Sequence, residues 1–373
     1  MDIIQIDPLE KRQRREFLAV PFRIYAATPQ WVPPLEMDAR RMLDPRRNPF
    51  YRHSAAAFFL AWRHGRAVGR LAVLDHRKFN EYNNTATAFF HLFECENDRE
   101  AANCLFEQGF AWARARGLTE MTGPRGFTPL DGSGLLVEGF EYRPAYGLPY
   151  NLPYYPGLIE ALGFEPGNDI VSGYISPDMD FPVRIHALAE KLRLRRGLSI
   201  AQCTTRKELR GLVRHLKTLY NESLEGTSAT YPLTDQELDA ITGQMIWLAD
   251  PRLVKIVLRD EQPVGFLLAY PDVSAALQKT RGRLWPLGWL AILRELRRTE
   301  WININGAGLK PEYRGSGGTA ILYSELFKSV TENPRYRQAE VVQIGAENDP
   351  MQREMANFGV AFCKTHRLYL KKL

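Results

Sequence analysis

The feature that most constrains this 373-residue chain is that it reads twice. In the first half an apolar run, Ala57 to Trp62, meets a turn at Arg63-His64-Gly65-Arg66 and a second apolar run, Ala67 to Leu74, the pattern of a β-hairpin. In the second half Leu253 to Leu258, a turn at Arg259 to Gln262, and Pro263 to Tyr270 repeat it. Gly69 and Gly265 stand 196 residues apart, and so do Gly163 and Gly359, each of the latter closing a short helical segment. Two landmarks at one offset predict an internal duplication. The elements around them follow one order. The first half predicts a helix near Pro8 to Tyr25, the hairpin, strand Thr87 to Cys95, helix Arg99 to Gly117 and strand Thr119 to Gly123. A long insert, a helix from Pro156 to Leu162 and strand Ile170 to Ile175 complete it. The second predicts strand Leu198 to Cys203, helices Lys207 to Leu224 and Asp235 to Ala249, and the hairpin. Strand Glu300 to Leu309, helix Thr319 to Glu332, strand Glu340 to Ala346, a short helix and strand Arg367 to Lys371 follow. This is an α/β (α+β) pattern, one mixed, mostly antiparallel sheet per half flanked by helices. The expected units are residues 1–180, with an insert at 123–155, a basic connector helix at 181–196, and 197–373; the length agrees with two domains.

Composition narrows the class. Hydrophobic residues make up 45% and charged residues 25%, ordinary for a globular chain. The net charge of +6 is spread along the sequence, which favours anionic small molecules over nucleic acid. Cys95, Cys104, Cys203 and Cys363 form no Cys-x-x-Cys pair and the seven histidines no ligand spacing, so neither a metal site nor a disulfide framework is expected, and the thiols suit the cytoplasm. The N-terminus lacks the apolar stretch of a signal peptide. Ala55 to Trp62 and Leu284 to Leu293 are too short to span a bilayer.

The chemistry concentrates after the strand Trp301 to Leu309. There Lys310-Pro311-Glu312-Tyr313-Arg314-Gly315-Ser316-Gly317-Gly318-Thr319 leads into a helix whose Ile321, Leu322, Leu326 and Val330 share a face. Glycines between a strand and a helix let backbone N–H groups converge, and the helix N-terminus adds positive potential, so phosphate oxygens are natural occupants. A tight connection without a ligand is the bland alternative. The run Pro-Glu-Tyr-Arg-Gly-Ser-Gly-Gly resembles the acetyl-CoA signature Gln/Arg-x-x-Gly-x-Gly/Ala of the GNAT (Gcn5-related N-acetyltransferase) superfamily, with Glu312 where Gln or Arg is usual. Glu347-Asn348-Asp349-Pro350-Met351 and Gly359 resemble the end of such a domain, and the likeness covers nearly all of 198–373. The first half is similar more faintly. Asn-Pro-Phe at 48–50, Phe-Glu-Cys-Glu at 93–96 and Pro-Tyr-Asn-Leu-Pro-Tyr-Tyr at 149–155 resemble a tandem-GNAT family of bacterial proteins.

The resemblance implies acetyl-CoA or another acyl-CoA as co-substrate, with Leu309, Lys310, Tyr313, Arg314, Gly315, Ser316, Gly317, Gly318, Thr319 and Asn348 around it, and a splayed strand that pairs with pantetheine. The first half is expected not to bind CoA, because Glu94 to Glu100 carries carboxylates and no glycine. The family's usual acid, a Tyr seven residues after the Asn, is here Met355, and a thioether donates no proton. Tyr323 is an alternative acid or a core residue. Glu347 is a candidate base or a helix cap, and Asn305, with Asn303, a candidate for orienting the acceptor or a buried amide. The insert, with Arg125, Asp131, Glu138 and Tyr154 as candidate substrate contacts, either lines an acceptor cleft between the halves or packs them together. Residues 281–298, apolar with basic flanks, could touch a membrane surface, seat an acyl chain, or pack on a second subunit of a homodimer. The expected function is N-acyl transfer to a small-molecule or peptide amine. A CoA-binding sensor or scaffold, or an aminoacyl transferase of the peptidoglycan-bridge type, are the alternatives.

Overall fold

The computed structural model describes residues 1–175, 183–201, 203–223, 230–315, 317–333 and 335–373, the side chains of 212–217 and 244 excepted. In chain order the N-terminal half contains β1 (Asp2–Gln5), α1 (Lys11–Ile24), α2 (Glu36–Leu43), β2 (Ala55–Arg63), β3 (Arg66–Asp75), α3 (Arg77–Asn83), β4 (Thr87–Cys95) and α4 (Arg99–Arg114). It continues through β5 (Glu120–Gly123), β6 (Leu135–Glu138), α5 (Tyr155–Ala161) and β7 (Glu165–Ile175). Then come α6 (Val183–Arg195), β8 (Leu198–Ile200), α7 (Arg206–Ser223), α8 (Asp235–Leu248), β9 (Lys255–Arg259), β10 (Gln262–Pro271), α9 (Ser274–Thr280) and α10 (Gly288–Arg298). The chain closes with β11 (Trp301–Leu309), α11 (Gly318–Thr331), β12 (Gln338–Gly345), α12 (Asp349–Asn357) and β13 (Ala361–Lys372).

Both hairpins form where the alternation places them, β2 with β3 and β9 with β10. The predicted strand Leu198 to Cys203 forms only over Leu198–Ile200, with Ala201 and Cys203 in no strand and Gln202 outside the described residues, and the last strand begins six residues earlier than its apolar run suggested. That early start has a cause in the topology. The sheet runs β1-β2-β3-β4-β5-β13-β7-β12-β11-β10-β9-β8, with β6 also on β13. The last strand of each half thus lies against the other half. β13 pairs with β5 through Tyr369–Gly123 and Leu370–Thr122, and β7 pairs with β12 through Glu340–Tyr174 and Val341–Gly173. No single cut in the chain separates two complete sheets.

The crossing is pinned by a buried polar cluster. Lys364 of β13 contacts Glu340 of β12 and donates to the Tyr174 hydroxyl of β7 at 3.2 Å. Lys364 and Glu340 are almost wholly buried. Nearby, Asn303 of β11 donates to Asp272 at 3.0 Å, and Arg143 pairs with the same carboxylate at 3.2 Å. Apolar cores flank the sheet. One, with Phe90, Phe106 and Tyr155, packs α4 and α5 on the N-terminal half; another, with Leu267, Ile321 and Met355, packs α11 and α12 on the C-terminal half. A third, containing Phe17, Phe58, Tyr231 and Leu238, joins α1 to α8 across the halves.

Candidate active site

The two central strands share one irregularity. β4 and β11 are both nine residues long, and each bulges against its hairpin at the same place. The sixth residue is Leu92 (φ 49°) in β4 and Gly306 (φ 141°) in β11. A bulge inserts an unpaired residue and bends the strand. Beyond its bulge β11 leaves β12: the two pair in parallel only from Trp301–Gln338 to Ile304–Val341. β12 is itself irregular there, with Gln343 at φ 42°. The result is a V-shaped opening with unpaired backbone groups along its walls.

Both bulges face one cavity of about 1370 Å³, larger than the ~300–1,000 Å³ of ordinary ligand pockets. Asn305, Gly306, Val342 and Gln343 form its C-terminal wall; His91, Leu92, Phe93 and Glu94 form the N-terminal one. Helices α1, α2 and α8 and the insert close the remaining sides. The insert is fastened to the opening by Gln343, whose amide oxygen accepts from Ser133 N at 3.0 Å and whose amide nitrogen donates to Ser133 O at 2.6 Å. Its Gly126 is packed on Asp131, whose Cβ would lie 2.3 Å from an added side chain, so only glycine fits there.

On the N-terminal wall Glu94 accepts from the hydroxyls of Tyr25 (2.6 Å) and Tyr155 (2.7 Å), with Arg70 at 3.8 Å. Burial raises its pKa, against the opposing pull of Arg70 and the two hydroxyls. His91 is held neutral, its pKa lowered to about 3 by burial and by Arg70, and its Nδ1 has no hydrogen-bond partner among the described residues. A neutral imidazole on a cavity wall can give or take one hydrogen bond from a ligand.

The Gly-rich turn lies at the far end of β11. Gly315 (φ 64°) and Gly317 (φ 84°) adopt left-handed backbone that favours glycine. Around Gly315 there is open space, whereas a Cβ on Gly317 would strike Leu192 of α6 at 2.2 Å. Among the described residues no side chain caps α11 at Gly317, which leaves the N–H groups of the first turn available to an anion. Lys310 pairs with Glu222 at 3.0 Å and Arg314 donates to Ser223 O at 2.9 Å, so both cations stay beside the turn. This donor set and this space fit a pyrophosphate.

The other sequence candidates divide. Leu309 is buried between Gly265 and Gly318, and Tyr313 lies under Arg259. Thr319 hydrogen-bonds Glu354, Asn348 caps α12 by accepting from Met351 N, and Ser316 lies outside the described residues. Asn305 and Asp131 reach the cavity wall; Asp131 accepts from Thr128 N at 2.9 Å. Tyr323 does not reach it: it sits in the core against Phe358, because it shares the inward face of α11 with Ile321 and Leu322. Glu347 is exposed in the turn after β12 and points back over Gly345. Arg125 stacks on Phe79 and Phe89, Glu138 accepts from Thr365, and the Tyr154 hydroxyl is spent on Cys95 O. Glu347, Arg125, Glu138, Tyr154 and Tyr323 line no part of the cavity. Tyr25, His91, Glu94 and Gln343 were not foreseen; the polar Gln343 inside the apolar run of β12 was the available signal.

The overall fold occurs in solved structures. A tandem GNAT protein from the clavulanic acid biosynthesis pathway superposes with TM-score 0.59 over 100% of this chain and 98% of its own, at 14% identity. The fold is that of the tandem GNAT proteins. A GCN5-related N-acetyltransferase from Anabaena variabilis shares this GNAT fold with TM-score 0.52 at 8% identity, over 100% of this chain and 73% of that one. No protein-family model matches the chain. Among curated proteins it is similar to Protein YghO of Escherichia coli, 24% identical over 98% of this chain and 94% of that protein. It is also similar to the bacterial ceramide synthase of Caulobacter vibrioides, 27% identical over 96% and 94%.

Proposed function

We propose that the chain is a cytoplasmic acyl-CoA-dependent N-acyltransferase, with the thioester held at the C-terminal half and an amine acceptor in the shared cavity. The observation that carries this reading is the course of β11: it parts from β12 after Ile304, lines the cavity with Asn305 and Gly306, and runs on to the glycine turn that opens α11. Acyl-CoA supplies an activated carbonyl. The amine nitrogen forms the new C–N bond at that carbonyl, the C–S bond breaks, and CoA leaves as the thiol after taking up a proton. The chain's own part is positional and electrostatic. Unpaired N–H groups of β11 beyond Ile304 face the carbonyl oxygen, first-turn N–H groups of α11 hold the pyrophosphate, and the insert clamped by Gln343 excludes water. His91, neutral and unpartnered at Nδ1, orients the acceptor from the opposite wall.

The size of the cavity and its apolar lining by Phe22, Trp31, Ile241, Met245 and Trp247 favour an acceptor with a long apolar tail. A long-chain amino alcohol, the acceptor implied by the name of the ceramide synthase relative, is the leading class. Titration calorimetry with acetyl-CoA and longer acyl-CoAs, followed by an amine screen, tests both parts. Binding with turnover on long-chain amines supports the reading; no CoA binding at millimolar concentration ends it. Met355 favours a second reading, CoA binding without catalysis: it is fully buried in the apolar core and offers the leaving thiolate no proton. Binding with no turnover on any amine selects that one.

A further inference from the structure

The segment joining α9 to the end of α10 presents an apolar surface that the fold does not cover. Trp285 is 80% exposed and Leu287 67%, and Trp289, Leu290 and Leu293 on the outer face of α10 follow at 42–46%. A run of large apolar side chains on one outward face marks an interaction site rather than ordinary surface. The segment is not loose. Ile292 is buried with Leu35, Leu248 and Leu277, Gly282 O accepts from Glu36 N at 2.9 Å, and Arg335 donates to Leu296 O and Arg297 O at the C-terminal end. The helix therefore holds its outer face in a fixed orientation.

Charge identifies the occupant. Moving along the outer face, apolar residues give way to Arg294, Arg297 and Arg298, all exposed, and the near end is flanked by Arg281 and Arg283. An apolar tip bordered by arginines matches a bilayer with anionic headgroups, the tip at acyl-chain level and the cations at the phosphates. Tryptophan at the border suits that interface. Among the described residues no helix is long and apolar enough to cross a membrane, so contact of this kind is peripheral. The surface adjoins the cavity: Arg281 and Arg283 also line its rim, beside Glu36 and Arg40 of α2.

We infer that the α9–α10 segment docks the protein onto an anionic membrane surface, with Trp285, Leu287, Trp289, Leu290 and Leu293 inserted and the arginines at the headgroups. The cavity rim then faces the bilayer, a position from which an amine or acyl donor with a long apolar tail can enter without crossing water. Docking itself does not depend on the acyl-transfer reading.

Co-sedimentation of the full chain with vesicles tests it. With phosphatidylcholine vesicles containing a third phosphatidylglycerol, the wild type sediments, and the combined variant Trp285→Ser/Leu287→Ser/Leu290→Ser loses at least tenfold in partitioning. A second variant, Arg294→Gln/Arg297→Gln/Arg298→Gln, loses its preference for anionic over pure phosphatidylcholine vesicles, and added salt mimics it in the wild type. Circular dichroism and melting confirm that both variants fold, since every altered side chain is exposed. The inference is overturned if the wild type stays in the supernatant or the Ser variant sediments equally. It is also overturned, in favour of a second copy, if the Ser variant instead converts a dimer to a monomer on gel filtration without vesicles.

Discussion

The helices that follow the two central strands, α4 and α11, begin in opposite ways. Three residues connect β4 to α4, and the last of them, Asp98, caps the helix by accepting from Ala101 N at 3.1 Å. Glu100 adds charge in the first turn, and Arg63 pairs with both carboxylates. Eight residues connect β11 to α11, and the cap is Gly317, with no side chain to offer. One copy of the motif satisfies its helix terminus from within, and the other has no capping side chain at its Gly317. The same fold therefore builds one helix terminus closed by its own side chains and one left open, from a difference of five connecting residues and the carboxylates of Asp98 and Glu100. A carboxylate at a helix N-terminus contributes roughly 0.3–1 kcal/mol, up to about 2 in sheltered positions, enough to oppose a bound phosphate.

The comparison also shows what the halves share, and the largest predicted effect lies there. Lys364→Met takes away the cation that favours ionised Glu340, whose pKa burial already raises to about 7; the buried carboxyl is left to protonate without its partner, and unfolding stability should fall by about 3–5 kcal/mol. Urea unfolding reads this, and adding Glu340→Leu should restore most of it. If the loss is under 1 kcal/mol, the crossing does not bind the halves together. The next effect is a pH dependence seated where the N-terminal half meets α8. Burial and the neighbouring His53 lower the pKa of His76 from 6.5 to about 4. The unfolded chain takes up a proton at higher pH than the folded one, so stability is complete above pH 6.5 and falls as pH drops toward 4, by roughly 3 kcal/mol at about 1.4 kcal/mol per pH unit. Melting of His76→Phe should show a shallower acid limb; an unchanged slope assigns the acid sensitivity elsewhere.

The closed and open helix termini can be interchanged. Gly315→Asp places in the open turn the charge that α4 already carries, at a site with space for it. CoA affinity should fall about tenfold, equivalent to ~1.4 kcal/mol. Gly315→Asn, equally tolerant of left-handed backbone, should stay within about threefold. Equal affinities for the two variants would mean that charge does not separate the halves. The smallest effect is the converse. Asp98→Ala removes the α4 cap and should cost about 1 kcal/mol in stability without adding a second CoA site. A stoichiometry rising toward two in calorimetry would break the comparison.

Much of this was legible in local pattern. The hairpins, α4, α7, α8 and α11 follow apolar periodicity, and the Gly-rich turn follows from strand, glycines and helix in sequence. The exchange of β7 and β13 was not legible, because their side chains alternate in the same way whichever β5 or β12 they join. The cavity wall was legible only in part. Asn305 and Asp131 could be named from position, but His91 and Glu94 face the cavity because β4 bulges at Leu92, and nothing in Phe-His-Leu-Phe-Glu announces a bulge. Arg125 and Tyr154 look like ligand residues in a list of polar side chains. The structure occupies them with Phe79, Phe89 and the carbonyl of Cys95.

The strand exchange has a consequence for the order in which the chain can be made. β5 ends at Gly123 and its neighbour β13 begins at Ala361. At a synthesis rate of roughly 5–20 residues per second, the ribosome needs on the order of ten to fifty seconds to deliver the missing strand. Throughout that interval the nascent N-terminal sheet carries a raw edge at β5, a template for mispairing with other chains. The residues of β13 are therefore what seals the first half, and that half stays open until they have been made.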